Sequence, residues 1–310
     1  MACQKKRLKA RPHPLMDSST HSVTAHAKVN LALHVTGQRD DGYHLIESLV
    51  GFADFGDQIS AKLTDENSFE ICGPFAPALK DEDENTNLII KARDALAEFA
   101  SENGIEIKPV SLRCEKNLPV ASGLGGGSAD AAAALNLLIK LWELEISDEE
   151  LSQIALNLGA DVPMCLASKP LIAKGIGEEL ASVRPFPKSH IVLANPMVAV
   201  STPVVFKALK TKQNGALNVR AKIENFDELL AVMKDNRNDL EQPAIQQCSE
   251  ISDCLEALLK TNPACARMSG SGASCFALYN NENNARVAAQ TIMSEHPNWF
   301  VTSTYLRGQN

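Results

Sequence analysis

The 310-residue sequence has no apolar run of eighteen or more residues, so no segment is long enough to cross a membrane as a helix. None of its eight cysteines forms a C-x-x-C pair, which argues against a structural zinc site. Basic residues are not in excess. Thirty of them face thirty-eight acidic ones, a net charge of −8 that argues against a nucleic-acid binder. No internal repeat is found. What is present is an apolar fraction of 45%, enough for a packed core and too high for a disordered chain. Single cores stop growing near roughly 250–300 residues, so a chain of this length is expected to hold two domains.

The cysteines, at positions 3, 72, 114, 165, 248, 254, 265 and 275, stand mostly among apolar neighbours, as Cys165 does between Met164 and Leu166. They read as reduced core thiols of a cytoplasmic protein. Cys275 lies beside a glycine-rich turn and has no activating neighbour in sequence. The first twenty-one residues differ from the rest, with Lys5, Lys6, Arg7, Lys9 and Arg11 against one acid, Asp17, and no apolar stretch of the secretory kind. A disordered leader, or an upstream start with Met16 as the initiator, fits this segment.

Order is expected from Val23. Val23, Ala25, Ala27, Val29, Leu31, Leu33 and Val35 alternate with Thr24, His26, Lys28, Asn30, Ala32, His34 and Thr36, a period-two strand with one apolar face. Lys28 and Asn30 then project together from the other face. A turn at residues 37–42 leads to a second extended run over 43–55. Residues 85–103 read as a helix closed by Gly104, 105–114 as a strand, and the chain from the glycine cluster to about 144 as an Ala-rich helix with Ala131, Leu135, Leu138 and Trp142 on its buried stripe. Ser147 and Glu150 form a capping box for a further helix that Gly159 ends. Residues 184–188 look like a linker. Beyond them a strand at 190–194, helices near 224–234 and 250–261, a strand–turn–strand over 266–279, a helix at 285–293 and a strand at 299–307 suggest a small α+β domain with an antiparallel sheet.

The sharpest local feature is Gly123-Leu-Gly-Gly-Gly-Ser128, which runs directly into a helix. Glycines let N–H groups turn inward and a ligand approach closely, and a helix N-terminus adds a positive dipole end. Together they make a phosphate cradle, against the plainer reading of a flexible turn meeting a capping Ser. The cluster is not a Walker A loop, because no lysine follows it. It is not a dinucleotide fingerprint, because Ser128 stands where a third glycine would fall. A second cluster, Ser269-Gly-Ser-Gly-Ala-Ser274, suggests a second backbone wall around the same polyphosphate, although such turns often only join strands.

Asp161, in Leu158-Gly-Ala-Asp-Val-Pro163, reads equally as the cap of a helix with Pro163 in its first turn or as a carboxylate with a tuned pKa. Lys28 sits in mid-strand, where a lysine is usually solvent-facing. Tyr43 and His44 follow the Asp40-Asp-Gly42 turn, and only three tyrosines exist in the chain.

These segments, with Ala27-Lys-Val-Asn-Leu31, Asp41-Gly-Tyr-His-Leu45, Pro119-Val-Ala-Ser-Gly and Met268-Ser-Gly-Ser-Gly272, resemble in content and order the GHMP small-molecule kinases. The resemblance runs from about Val23 to the C-terminus. It implies an α+β fold of two domains, a ribosomal-protein-S5-like one over 22–186 and a ferredoxin-like α+β one over 187–310, with the active site in the cleft between them. It implies an ATP-dependent phosphotransferase with magnesium and a small-molecule substrate, a cytidine diphosphate-linked polyol phosphorylated on a tertiary hydroxyl. No nucleic-acid or membrane partner is implied, nor a protein ligand for the metal, and a monomer or homodimer is expected.

By the same resemblance Asp161 would take the hydroxyl proton, with Lys28 beside it as the second catalytic residue. ATP would lie on Pro119, Val120, Ala121, Ser122, Gly123, Leu124, Gly125, Gly126, Gly127, Ser128 and Ala129, with Asn87 and Lys116 near its adenosine. The cytidyl substrate would meet Asn30, Tyr43, His44, Thr202, Phe206, Gly270, Ser271 and Gly272. Two departures stand out: Ala129 replaces a second Ser after the glycines, and Met164-Cys165 replaces an aromatic pair. The competing readings are a sister kinase for homoserine, mevalonate or galactose, against which Tyr43 and His44 argue, and a non-catalytic nucleotide-binding module.

Overall fold

The computed structural model describes residues 20–80 and 83–309; the basic segment singled out above lies, through residue 19, outside them. Two long antiparallel strands, β1 (His21–Gln38) and β2 (His44–Leu63), form the spine. β1 starts two residues before the expected Val23. β2 also pairs with β4 (Val110–Glu115), which takes β3 (Ser68–Cys72) in parallel, and with β5 (Leu171–Gly175) of the hairpin completed by β6 (Glu179–Ser182). Helices α1 (Leu88–Glu102), α2 (Gly126–Leu141), α3 (Asp148–Leu158) and α4 (Val162–Ala167) cover this sheet. α1 ends as expected, with Gly104 in the left-handed region after the Asn103 cap. The Ser147–Glu150 capping box at the start of α3 is formed. Trp142 falls one residue past α2 rather than within it, and is only partly buried.

The second half is an antiparallel sheet in the order β10 (Phe300–Leu306), β7 (Ser189–Asn195), β9 (Cys275–Tyr279), β8 (Cys265–Met268). It is accompanied by α5 (Thr202–Lys207), α6 (Phe226–Asp235), α7 (Glu241–Gln247), α8 (Glu250–Lys260) and α9 (Glu282–Glu295). This is the α+β arrangement the sequence suggested, with α5 and α7 added. Both are short helices with Pro in an early turn, too brief to carry a helical period. Residues 184–188 are not a free linker: Phe186 is buried and exchanges backbone hydrogen bonds with Gln309.

β1 departs most from its sequence reading. Both of its faces are covered from Ala27 to Val35, because the strand runs through three apolar clusters in turn. Ala25 packs in the core under α1 and α2, Ala27, Val29 and Leu31 pack with Ile191, Leu193 and Phe276 at the seam, and Leu33 and Val35 pack in the core under α8 and α9. Lys28 and Asn30 are therefore buried rather than solvent-facing. Register shifts fall on either side of them, between His26 and Lys28 and between Asn30 and Ala32. Such bulges bend a strand and re-aim its side chains.

Candidate active site

The glycine cluster lies against β1, whose Lys28 N–H donates to the Leu124 carbonyl at 2.8 Å. Gly125 caps α2 in the left-handed region (φ +65°), and Ser128 is the third residue of the helix rather than its cap. The N–H groups of Gly126, Gly127 and Ser128 precede the first intrahelical bond, made by Ala129 to the Gly125 carbonyl. They are donors turned toward the loop at a positive helix end. Ala129 is 3% exposed and packs in the core, so the side chain at the departing position faces away from the loop.

Glycine is required here by close approach. A Cβ on Gly125 would come 3.0 Å from Lys28 Cε, and one on Gly123 would come 2.7 Å from the Gly272 carbonyl oxygen and 2.8 Å from that of Ser269. The second Gly-Ser cluster thus abuts the first. Ser274 N–H donates to the Ser122 carbonyl at 3.0 Å, and Ser269 Oγ donates to that of Gly123 at 3.2 Å. Asn238 fixes the turn from behind, donating through Nδ2 to the carbonyls of Met268 and Gly270. Sequence reasoning missed Asn238; a lone Asn between helices carries no local signal.

The expected pair meets. Lys28 Nζ stands 3.0 Å from Asp161 Oδ2, with the lysine side chain 7% exposed and the carboxylate 40% exposed. The same ammonium donates to Asn30 Oδ1 at 2.9 Å. Asn30 donates in turn to Ser48 Oγ, which donates to the Ala32 carbonyl. Asp161 does occupy the cap position of α4, but its side chain caps no N–H. Of the two compatible roles, the carboxylate makes the ion pair and not the cap.

Farther along the cleft, Tyr43, His44, Ile46, Thr202, Phe206 and Lys212 are among the residues lining a cavity of about 570 Å³. Tyr43 is 62% exposed, and the His44 and Phe206 rings lie 4.8 Å apart. Burial, with a smaller contribution from Lys212, lowers the His44 pKa, and its buried Nε2 has no hydrogen-bond partner. Thr202 Oγ1 shares a 2.7 Å hydrogen bond with Ser271 Oγ, which joins this cavity to the Gly-Ser turn.

Asn87 and Lys116 are placed differently from each other. Asn87 caps α1 through Ile89 N–H and borders a second cavity, of about 600 Å³, with Phe69, Ile71 and Pro77. Lys116 is 4% exposed, and its ammonium is held by Asp57 and Asp130. Neither carboxylate was picked out from sequence. Cys275 is fully buried, and burial raises its thiol pKa well above the ordinary value.

Two family models match the chain, GHMP kinases N terminal domain over residues 87–169 and GHMP kinases C terminal over 217–297. The chain is 48% identical over 291 residues to the 4-diphosphocytidyl-2-C-methyl-D-erythritol kinase of Sinorhizobium medicae (strain WSM419), covering 93% of this chain and 96% of that one. It is 47% identical over 286 residues to the enzyme of that name from Rhizobium meliloti (strain 1021), covering 92% and 95%. Among solved structures, a 4-(cytidine 5'-diphospho)-2C-methyl-D-erythritol kinase superposes with a TM-score of 0.77 at 28% identity, over 93% of this chain and all of that one.

Proposed function

Because the chain belongs to the GHMP kinases, we propose that it transfers the terminal phosphoryl group of ATP to the C2 hydroxyl of 4-(cytidine 5'-diphospho)-2-C-methyl-D-erythritol. The product is the 2-phosphate, a step of the non-mevalonate route to isopentenyl diphosphate. The observation that carries the reading is the Lys28–Asp161 ion pair set beside the glycine loop.

Asp161, the more exposed partner, accepts the proton of the C2 hydroxyl as its oxygen attacks the phosphorus. Lys28, fixed by Asn30, orients the carboxylate and offsets negative charge on the transferring oxygens. The free N–H groups at the start of α2 receive the nucleotide phosphates, while the abutting Gly-Ser turn closes the opposite side. Phosphoryl transfer depends chiefly on such positioning and charge neutralisation. Among the described residues no three His, Cys, Asp or Glu side chains form a metal cage. Magnesium keeps several waters and binds chiefly through substrate phosphates, so it needs no such cage; the half-exposed carboxylate of Asp161 is the side chain that would meet it. When bound, the ion neutralises the phosphates.

In the cavity beyond, the exposed Tyr43 and the Phe206 ring offer apolar faces to the cytosine, and His44, which lines the same cavity, is assigned to its polar edge. Asn30, Thr202, Gly270, Ser271 and Gly272 are assigned to the same substrate; in support, Thr202 lines this cavity and bonds Ser271 of the Gly-Ser turn, and Asn30 holds the Lys28 ammonium. The cavity that Asn87 borders is assigned to adenosine. Seven described cysteines are free thiols, four of them buried, which supports a reducing, cytoplasmic setting.

An assay with MgATP and a substrate panel tests the assignment. The cytidyl compound is phosphorylated in preference to homoserine, mevalonate and galactose; preference for any of these three rejects the reading.

A further inference from the structure

We infer that Asp57, Lys116 and Asp130 form a buried positioning unit that fixes both ends of the glycine loop, and that Lys116 serves ATP through this unit rather than by touching the nucleotide. The inference rests on the loop being the phosphate site.

The three side chains come from separate elements and meet at one ammonium. Lys116, just after β4, places Nζ 2.5 Å from Asp57 Oδ2 on β2 and 2.7 Å from Asp130 Oδ2 on α2. None of the three residues is more than 4% exposed. The other oxygen of Asp57 accepts the N–H groups of Asn117 and Leu118, the residues that lead into the loop. Asp130 sits in the helix that leaves it. One ammonium therefore ties the chain entering the loop to the chain leaving it. It also lies directly under the first helical turn: a methyl group on Gly126 would come 3.5 Å from Lys116 Nζ and 3.6 Å from Asp57 Oδ2.

An ion cluster this deep is a costly way to obtain stability, since well-packed apolar residues often do as well or better. Its distinctive property is direction, because each bond fixes an angle as well as a distance. Phosphate donors need that property, since an error of about 1 Å in placement can cost about a hundredfold in rate. The backbone of Lys116 is also engaged, its N–H with the Cys72 carbonyl and its carbonyl with Phe75 N–H, and two of the three ammonium hydrogens go to the carboxylates, so this buried residue is committed to the fold rather than presented to a nucleotide.

The test is ATP affinity by calorimetry in the absence of acceptor, together with KM for each substrate, in Lys116→Met, Asp130→Ala, the double variant and Asp130→Asn. ATP alone is the probe, so the result does not depend on which acceptor the enzyme uses. Each of the first two single variants is expected to weaken ATP about tenfold or more, with KM for the cytidyl substrate within about twofold and the double variant no worse than the poorer single one. Asp130→Asn keeps a hydrogen-bonding oxygen and restores most of the affinity. Should Lys116→Met fail to fold, the contrast between Asp130→Ala and Asp130→Asn decides alone. The proposal is overturned if Lys116→Met weakens ATP while Asp130→Ala does not, or if the two losses simply add. It is equally overturned if Asp130→Ala raises both KM values together.

Discussion

The ammonium of Lys28 and the carboxylate of Asp161 lie 3.0 Å apart, although one comes from the middle of β1 and the other from the residue that opens α4. Burial is unequal across the pair, and the carboxylate is the half that faces the cleft.

That asymmetry assigns the proton transfer to Asp161. Asp161→Asn is expected to lower kcat by roughly a hundred- to ten-thousandfold, the usual range for loss of a general base. Binding of both substrates stays within a few-fold. Rapid-quench kinetics beside equilibrium binding separates the two, and near-normal turnover would remove the assignment.

Gly125 is the point where the loop and Lys28 touch. Gly125→Ala places a methyl group 3.0 Å from Lys28 Cε in a backbone with φ +65°. The left-handed conformation alone costs about 1–2 kcal/mol for a residue with a Cβ. Turnover should fall much further than stability, since the lysine must shift; a urea melt and kcat measured on the same sample make the comparison.

The Phe206 ring is expected to act on the cytidyl substrate only. Phe206→Ala raises its KM by an amount corresponding to about 1–3 kcal/mol, the usual worth of a base–aromatic stack, and leaves KM for ATP unchanged. His44 titrates below the ordinary histidine value, from burial first and Lys212 second. Lys212→Met should move that titration upward, as followed by NMR of the ring; an unmoved titration would count against the assignment of Lys212 as its neighbour.

Asp130 makes stability depend on pH. Burial raises its carboxyl pKa from 3.8 to about 8, although Lys116 opposes the shift. Asp57, Lys116, Cys114 and Cys165 are the ionisable groups around it. The folded protein holds a proton that the unfolded chain releases, so the associated stability is full below about 3.8 and is lost as pH rises through about 8. Urea midpoints of the wild type should therefore fall relative to Asp130→Asn between those values and run level above them. Parallel curves throughout would refute the shift.

What sequence revealed and what it hid follow physical range. The glycine loop was legible because a left-handed backbone and a helix start are local properties. The capping box on α3 and the Gly104 stop were legible for the same reason. Lys28 was misplaced because alternation describes one strand, while the cover on its second face comes from the glycine loop at Gly125 and from Asp161, far along the chain. Asp57 was invisible: an acidic residue after a glycine in a strand looks like a surface position until β4 and α2 close over it. The α+β order of the C-terminal half could be read from periodicity, whereas α5, α7 and the β5–β6 hairpin were too short to show one.

β1 passes through all three apolar clusters, and this bears on how the molecule comes apart. A cut at the crossing over residues 184–188 would take from Val29 and Leu31 their partners Ile191, Leu193 and Phe276, would take from Leu33 and Val35 the core under α8 and α9, and would leave the C-terminal fragment without the strand that packs into both clusters. Neither fragment would be a smaller working part. The two halves are distinct in architecture and yet share one thermodynamic fate, and the cleft that carries the chemistry is the seam along which that fate is shared.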